Sequence, residues 1–282
     1  MAPTERQRLQ RGALLETNPY LREVSEEKGA DVKIAVAFKV VPDDQDIQVA
    51  SDRSLDFSKA KGTVSAYDLN ALEAAAQLAA ENPGSTVTAV SVGAASIDDS
   101  KLKKNVLARG VDDLIMVADD ALAALDTAGT AQELAAVMGE GGFDLILCGD
   151  GSADDYAQQV DVKLAARLGV PSVNAVSAIK AADGALVVER TLEDVVEEVE
   201  VPLPAVVAVT PDVATPRIPG MKDILAAGKK PMEVKGAPMA PVSAVEVVSC
   251  AAPEAAERAC NVADASADCA IEAFAAALKA AL

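Results

Sequence analysis

The chain has 282 residues, 51% of them apolar, and a formal net charge of −19. That excess of acid repels phosphate backbones and anionic lipid surfaces, which argues against nucleic acid or a membrane surface as a partner. Histidine is absent and aromatics supply only 2% of the residues, so the usual base of hydrolytic triads, the commonest zinc ligand and base-stacking platforms are all missing.

Residues 1–30 are charged and weakly helical, and are read as a solvated N-terminal extension. They contain no continuous apolar stretch of the kind a secretory signal needs, and no later segment reaches the ~18 uncharged apolar residues of a membrane helix. Cys148, Cys250, Cys260 and Cys269 form no C-x-x-C pair. Together these features predict unpaired thiols in a reducing, cytoplasmic setting.

Four unalternating apolar runs follow: "IAVAF" (34–38), "VTAVSV" (87–92), "LIMV" (114–117) and "LILC" (145–148). Such runs suit strands covered on both faces. Helical patterns separate them at 68–81, 98–110 and 130–140. The resulting alternation predicts an α/β fold, doubly wound around a mostly parallel sheet.

The segment after Asp154 also reads as a helix, with Ala157, Val160, Leu164 and Leu168 at helical spacing and "GVP" closing it. Two strands are expected within 185–210, then a basic Pro/Gly-punctuated loop, "TPRIPGMKDILAAGKKP" (215–231). The tail from about 236 is Ala/Pro/Glu-rich and ends in an amphipathic helix, 271–282, suited to docking on a neighbouring surface.

"GDGSADDYAQQ" (149–159) joins a strand's carboxyl end to a helix, where free N–H groups and the positive end of the helix dipole attract anions. Gly149 and Gly151 permit close approach, Ser152 offers a hydroxyl, and Gln158 and Gln159 offer amides. Asp154 and Asp155 repel phosphate directly, but each suits a helix cap or a ribose hydroxyl. From the loop alone, a plain N-cap with a solvated first turn explains the residues equally well. Neither G-x-G-x-x-G nor G-x-x-x-x-G-K-[ST] occurs here.

Four segments taken together are more specific: 36–47, 65–78, 149–160 with 188–210, and 215–231. In order and spacing they resemble electron-transfer flavoprotein beta subunits, most closely the Fix type associated with nitrogen fixation or anaerobic carnitine and acyl-CoA metabolism. The resemblance spans about residues 33–235, so the chain divides into an extension (1–30), a nucleotide-binding domain with a docking loop (31–235), and a C-terminal extension (236–282) whose last helix docks on a partner subunit.

The resemblance implies one subunit of an alpha–beta heterodimer whose alpha subunit carries FAD. The beta subunit holds AMP or a second FAD, and the Fix type favours FAD. Electrons then pass between NADH or an acyl-CoA-type dehydrogenase and a quinone-linked or ferredoxin-like acceptor, with bifurcation of the electron pair when both cofactors are flavins. No side chain is required as acid, base or nucleophile, and no metal site is implied. Carried over by motif, the nucleotide-lining positions are Ala37, Lys39, Ser65, Asp68, Val92, Gly93, Asp154, Gln158, Gln159 and Val160, to which the loop chemistry above adds Gly149, Gly151 and Ser152.

Met221 matches the family's docking residue, flanked by Arg217, Ile218 and Lys222; the bland reading is that Met221 and Leu225 pack on the chain's own body. Glu189 and Arg190 match a partner-facing motif. Asp161 departs from the family, which has glycine there, so its carboxylate either points to solvent or changes how the anion is held. A redox-silent nucleotide sensor of the same fold is the alternative function. An ATP-pyrophosphatase is disfavoured because "AFKVVPDDQD" stands where its S-G-G-x-D-S loop belongs.

Overall fold

Residues 32–182, 184–254 and 260–281 are described in this computed structural model, so the N-terminal extension lies outside them. The chain divides into two compact units. One takes in the residues up to Gln48 and Phe57–Val248; the other takes in Val49–Asp56 and Ser249–Leu282.

In chain order the elements are β1 (Lys33–Ala37), β2 (Val40–Pro42), β3 (Gln48–Val49), β4 (Leu55–Asp56), β5 (Gly62–Val64), α1 (Ala66–Glu81), β6 (Thr86–Gly93), α2 (Ser100–Leu107), β7 (Asp113–Ala118), α3 (Thr127–Gly141), β8 (Leu145–Gly149) and α4 (Val160–Leu168). There follow β9 (Ser172–Ala182), β10 (Ala185–Thr191), β11 (Val196–Pro202), β12 (Ala205–Val209), α5 (Met221–Ala227), β13 (Met232–Lys235) and α6 (Ala270–Ala281).

Nine strands form one sheet in the order β11-β10-β9-β12-β8-β1-β6-β7-β13. From β9 to β13 every neighbouring pair is parallel, while β10 runs antiparallel to both β9 and β11. Each central strand is buried on both faces, with alternate residues feeding two separate cores. Ile34, Val36, Leu145 and Leu147 pack with Leu72 and Ala75 of α1 and Val106 of α2. Ala35, Ile146 and Cys148 pack with Leu134 and Met138 of α3 and Leu164 of α4. Helices therefore cover both faces, and the fold is doubly wound α/β as expected.

The four apolar runs are the central strands β1, β6, β7 and β8. Two expectations need correction. The region 185–210 holds three strands rather than two, and β9 precedes them; its Ala-rich sequence, SVNAVSAIKAA, carries little strand propensity of its own. The helix expected from Asp154 starts only at Val160. Tyr156 and Gln158 take φ of 45° and 53°, which no helix accommodates. At its far end Gly169 is left-handed, closing α4 where "GVP" was expected to.

The strand order sets the position of the site. β1 leads by way of α1 to β6 on one side and pairs with β8 on the other, so the winding reverses between β1 and β8. In open α/β sheets the carboxyl ends of two such strands diverge into a crevice that admits ligands.

In the second unit, the Arg53 carbonyl accepts from the Ala252 N–H at 2.9 Å, and the Arg53 guanidinium lies 3.2 Å from Glu254. Cys250, Cys260 and Cys269 are exposed free thiols. Ile271, Phe274 and Leu278 are exposed at helical spacing along α6. No described helix is long and apolar enough to cross a membrane.

Candidate functional site

Two loops meet at the switch point: residues 38–39 after β1 and residues 150–159 after β8. Asp68, in the first turn of α1, joins them. Its Oδ2 accepts from the Lys39 N–H at 2.7 Å and its Oδ1 from the Gly149 N–H at 3.0 Å. One carboxylate thus fixes the exit directions of two adjacent parallel strands. Burial pushes its pKa up to about 7, against the two N–H donors and the Lys39 charge; the charge of Asp154 adds to the rise.

Ser65, the residue before α1, is also buried. Its N–H donates to the Lys39 carbonyl at 3.0 Å, and its Oγ accepts from the Ala153 N–H at 3.2 Å. Gly149 must be glycine, because a Cβ there would lie 2.7 Å from the Tyr67 Cβ and 2.9 Å from Asp68 Oδ1. At Gly151 a Cβ would meet the Tyr156 ring at 2.3 Å. Both glycines are therefore required by the chain's own packing, whatever they also permit to a ligand.

The Lys39 ammonium lies 2.7 and 2.8 Å from the two oxygens of Asp154, 2.8 Å from Asp155 Oδ2 and 3.5 Å from Ser152 Oγ. Burial alone would lower its pKa, but the hydrogen bonds and charges of Asp154 and Asp155 outweigh that and hold it above the ordinary range. Burial likewise opposes Asp154, and its bonds to Lys39 and Ser152 hold it below the usual carboxylate range. Asp154 and Asp155 do not cap α4, as the sequence suggested. They turn back onto Lys39.

Tyr156 crosses the same loop. Its hydroxyl donates to Asp150 Oδ2 at 3.0 Å, and its ring tilts against Tyr67 with centroids 5.1 Å apart. The other oxygen of Asp150 is buried without a hydrogen-bond partner.

Of the predicted lining residues, Lys39, Ser65, Asp68, Gly149, Ser152 and Asp154 come together directly. Ala37 is buried at the end of β1, and Val92 and Gly93 end the adjacent β6, half-buried. Gln158 is exposed, and Val160 opens α4. Gln159 is drawn aside: its Oε1 accepts from Thr127 Oγ1 at 3.0 Å and from Lys163 Nζ at 2.7 Å. Asp155, Tyr156, Tyr67 and Asp150 complete the loop's contacts. The sequence presents Asp155 only as a cap or a ribose-hydroxyl acceptor, and Tyr156, Tyr67 and Asp150 escape that reading because nothing in their spacing announces partners on α1 and β1.

Asp161 is buried and does not point to solvent. Burial, with the nearby charge of Asp150, raises its pKa, while its own N–H and that of Val162 pull the other way. A buried carboxylate therefore stands in the first turn of α4, the end of a helix that attracts external anions.

A second candidate surface surrounds α5. Ile218 is 94% exposed, Met221 75% and Leu225 69%, so Met221 and Leu225 do not pack on the chain's own body. Lys222 is exposed as well. Arg217 is not a free docking cation. Its Nε and Nη2 reach Glu73 at 2.6 and 3.0 Å, its N–H adds a third bond at 3.1 Å, and its carbonyl accepts from Arg109 at 2.6 Å.

At the other end of the loop, Lys230 Nζ donates to the Leu107 and Val111 carbonyls at the C-terminus of α2. Arg190 is likewise engaged within the chain, with Glu197 at 3.0 Å and Asn174 at 2.8 and 2.9 Å.

The architecture defines a class: an open, doubly wound α/β domain whose winding reverses between β1 and β8. A family model described as the electron transfer flavoprotein domain matches residues 54–240, well over half of the chain. The chain belongs to the electron transfer flavoprotein family.

Proposed function

We propose that the chain is the beta subunit of a Fix-type electron-transfer flavoprotein heterodimer, with an adenine nucleotide in the crevice between β1 and β8. The observation that carries the reading is the convergence of Lys39, Ser65, Ser152 and the Asp68-fixed strand ends at the one place where the sheet's winding reverses. The donor set suits a phosphate: an ammonium, hydroxyls and the amides of a loop leading into a helix. Lys39 and Ser152 would take the phosphate, and Asp68 would hold the two strand ends at fixed spacing beneath it.

In this reading the bound group is FAD, with AMP as the competing occupant. A flavin supplies the one- and two-electron chemistry when bound, and the chain's own residues bind and orient it. The partner subunit is an alpha subunit bearing FAD, and the exposed apolar face of α6, with Ile271, Phe274 and Leu278, docks on it. Electrons enter from NADH or an acyl-CoA-type dehydrogenase and leave to a downstream acceptor. Ile218 and Met221 form the apolar contact with the redox partner, and Lys222 and Lys229 orient the encounter in an otherwise acidic protein.

The test is an absorption spectrum with nucleotide extraction from the purified heterodimer. Two flavins per pair support the reading with FAD in this chain. One flavin plus AMP removes electron bifurcation and leaves a docking and structural subunit. A colourless homodimer overturns the whole assignment.

A further inference from the structure

Lys39 presents the ammonium of the crevice, and two different claims fall on it. In the described arrangement Asp154 and Asp155 both hold it, so the three groups together carry net negative charge. A phosphate cannot approach while both carboxylates remain, because it would add further negative charge where the single cation is already satisfied.

The loop that supplies these carboxylates shows signs of being held rather than relaxed. Tyr156 and Gln158 are non-glycine residues at positive φ, and Asp150 Oδ1 is buried without a partner. Between its ends the loop is tied by the Tyr156 hydroxyl on Asp150, the Tyr156 N–H on the Ser152 carbonyl at 3.0 Å, the Ala153 N–H on Ser65 and the Tyr156 ring against Tyr67; the ends themselves are anchored, with the Asp150 N–H on the Val209 carbonyl at 3.0 Å and Gln159 held by Thr127 and Lys163. The Lys39 ion pairs are partly exposed, with Asp155 71% exposed, so they are weak enough for a competing anion to displace.

We infer that residues 150–159 form a lid latched by Lys39 through Asp154 and Asp155, and that a nucleotide phosphate opens it by taking the ammonium for itself. The inference rests on the crevice being a nucleotide site. Opening exchanges two carboxylate partners of Lys39 for phosphate oxygens and frees Asp154 and Asp155 to solvent. Tyr156, tied to Asp150 across the loop, moves with it and leaves Tyr67. The latch makes the free chain a weaker binder of phosphate-bearing ligands than its donor set alone would allow, and it acts on the phosphate and not on the base.

The experiment compares AMP with adenosine by titration calorimetry on the full chain freed of nucleotide. In the Asp154→Asn, Asp155→Asn double variant AMP is expected to bind about five- to tenfold more tightly, and its affinity relative to adenosine to rise. AMP affinity that is unchanged or weaker in the double variant overturns the lid.

A second measurement does not depend on the double variant: inorganic pyrophosphate, which does not absorb near tyrosine, is titrated into the unaltered chain and into Tyr156→Phe while tyrosine emission is followed. A saturable change that disappears in Tyr156→Phe supports the lid, and a silent titration overturns it. Binding of AMP by the parent chain without a gain in the double variant removes the lid alone. Failure of both proteins to bind AMP or FAD removes the nucleotide reading and the lid with it.

Discussion

Glu73 and Arg217 are separated by 144 residues and meet in a two-pronged ion pair, with Nε 2.6 Å from Oε2 and Nη2 3.0 Å from Oε1. The Glu73 side chain is only 7% exposed, whereas Arg217 is 41% exposed. Burial opposes the Glu73 charge, but Arg217 and Gln77 outweigh it and hold the carboxyl below its ordinary range.

Removing the guanidinium leaves that carboxylate with few partners in a nearly dry position. Arg217→Ala is expected to lower stability by about 1–3 kcal/mol, read by urea unfolding, and to expose the 214–222 segment to limited proteolysis. Because the folded pKa is depressed, the pair's stabilisation is present above the ordinary glutamate range and fades as pH falls through the folded value. An Arg217→Ala protein with the parent's midpoint and the parent's acid sensitivity would refute this.

Asp68 titrates in the opposite sense. Its folded pKa of about 7 lies above that of an unfolded aspartate, so between about pH 4 and 7 the folded chain binds the extra proton. Stability should fall with rising pH across that window, by at most ~1.4 kcal/mol per unit from this group, and level off above it. In Asp68→Asn this component vanishes and one of the two strand-end bonds is lost. Urea midpoints measured from pH 4 to 8 for both proteins check the difference in slope; parallel curves rule it out.

Asp126 holds down the segment after β13. Its Oδ1 accepts from the Ala128 and Gly129 N–H groups at the start of α3, and its Oδ2 from Ala244 and Val245 at 2.8 and 3.1 Å. These donors, that of Gly129 foremost, keep its pKa low. Its contribution is therefore present above the ordinary aspartate range and is lost as pH falls through the folded value. Asp126→Ala should accelerate hydrogen exchange at 240–246 while leaving the sheet's exchange unchanged. Gly129→Ala should do the same by another route, since its Cβ would stand 2.2 Å from the Val242 carbonyl oxygen.

Met221 is exposed and contributes little to the fold. Met221→Glu is expected to change stability by no more than about 0.5 kcal/mol and, on the proposed function, to leave the heterodimer and its flavin intact. Electron delivery to a partner dehydrogenase, followed by stopped-flow absorbance, should slow. Unaltered transfer kinetics would take Met221 out of the docking assignment.

What the sequence made legible follows from range. The central strands stand out because burial on both faces demands unbroken apolar runs, visible within five or six residues. The early start expected for α4 had the same local logic: Ala157, Val160, Leu164 and Leu168 do fall at helical spacing. What overrides it in 154–159 is Lys39, 115 residues away, to which Asp154 is tied. Arg217 was legible as a cation beside an apolar loop, but its partner on α1 was not. Each such error arises where two distant charges settle a local choice.

The segment carrying Ile218 and Met221 is fastened at both ends. Upstream, Arg217 is pinned to Glu73; downstream, Lys230 grips the end of α2, the Pro231 carbonyl accepts from the Leu114 N–H at 3.2 Å, and β13 pairs along β7. A partner that meets this surface finds its apolar residues already in position. Little chain entropy remains to be lost on association, so truncating a single contact should show chiefly in how fast the complex separates.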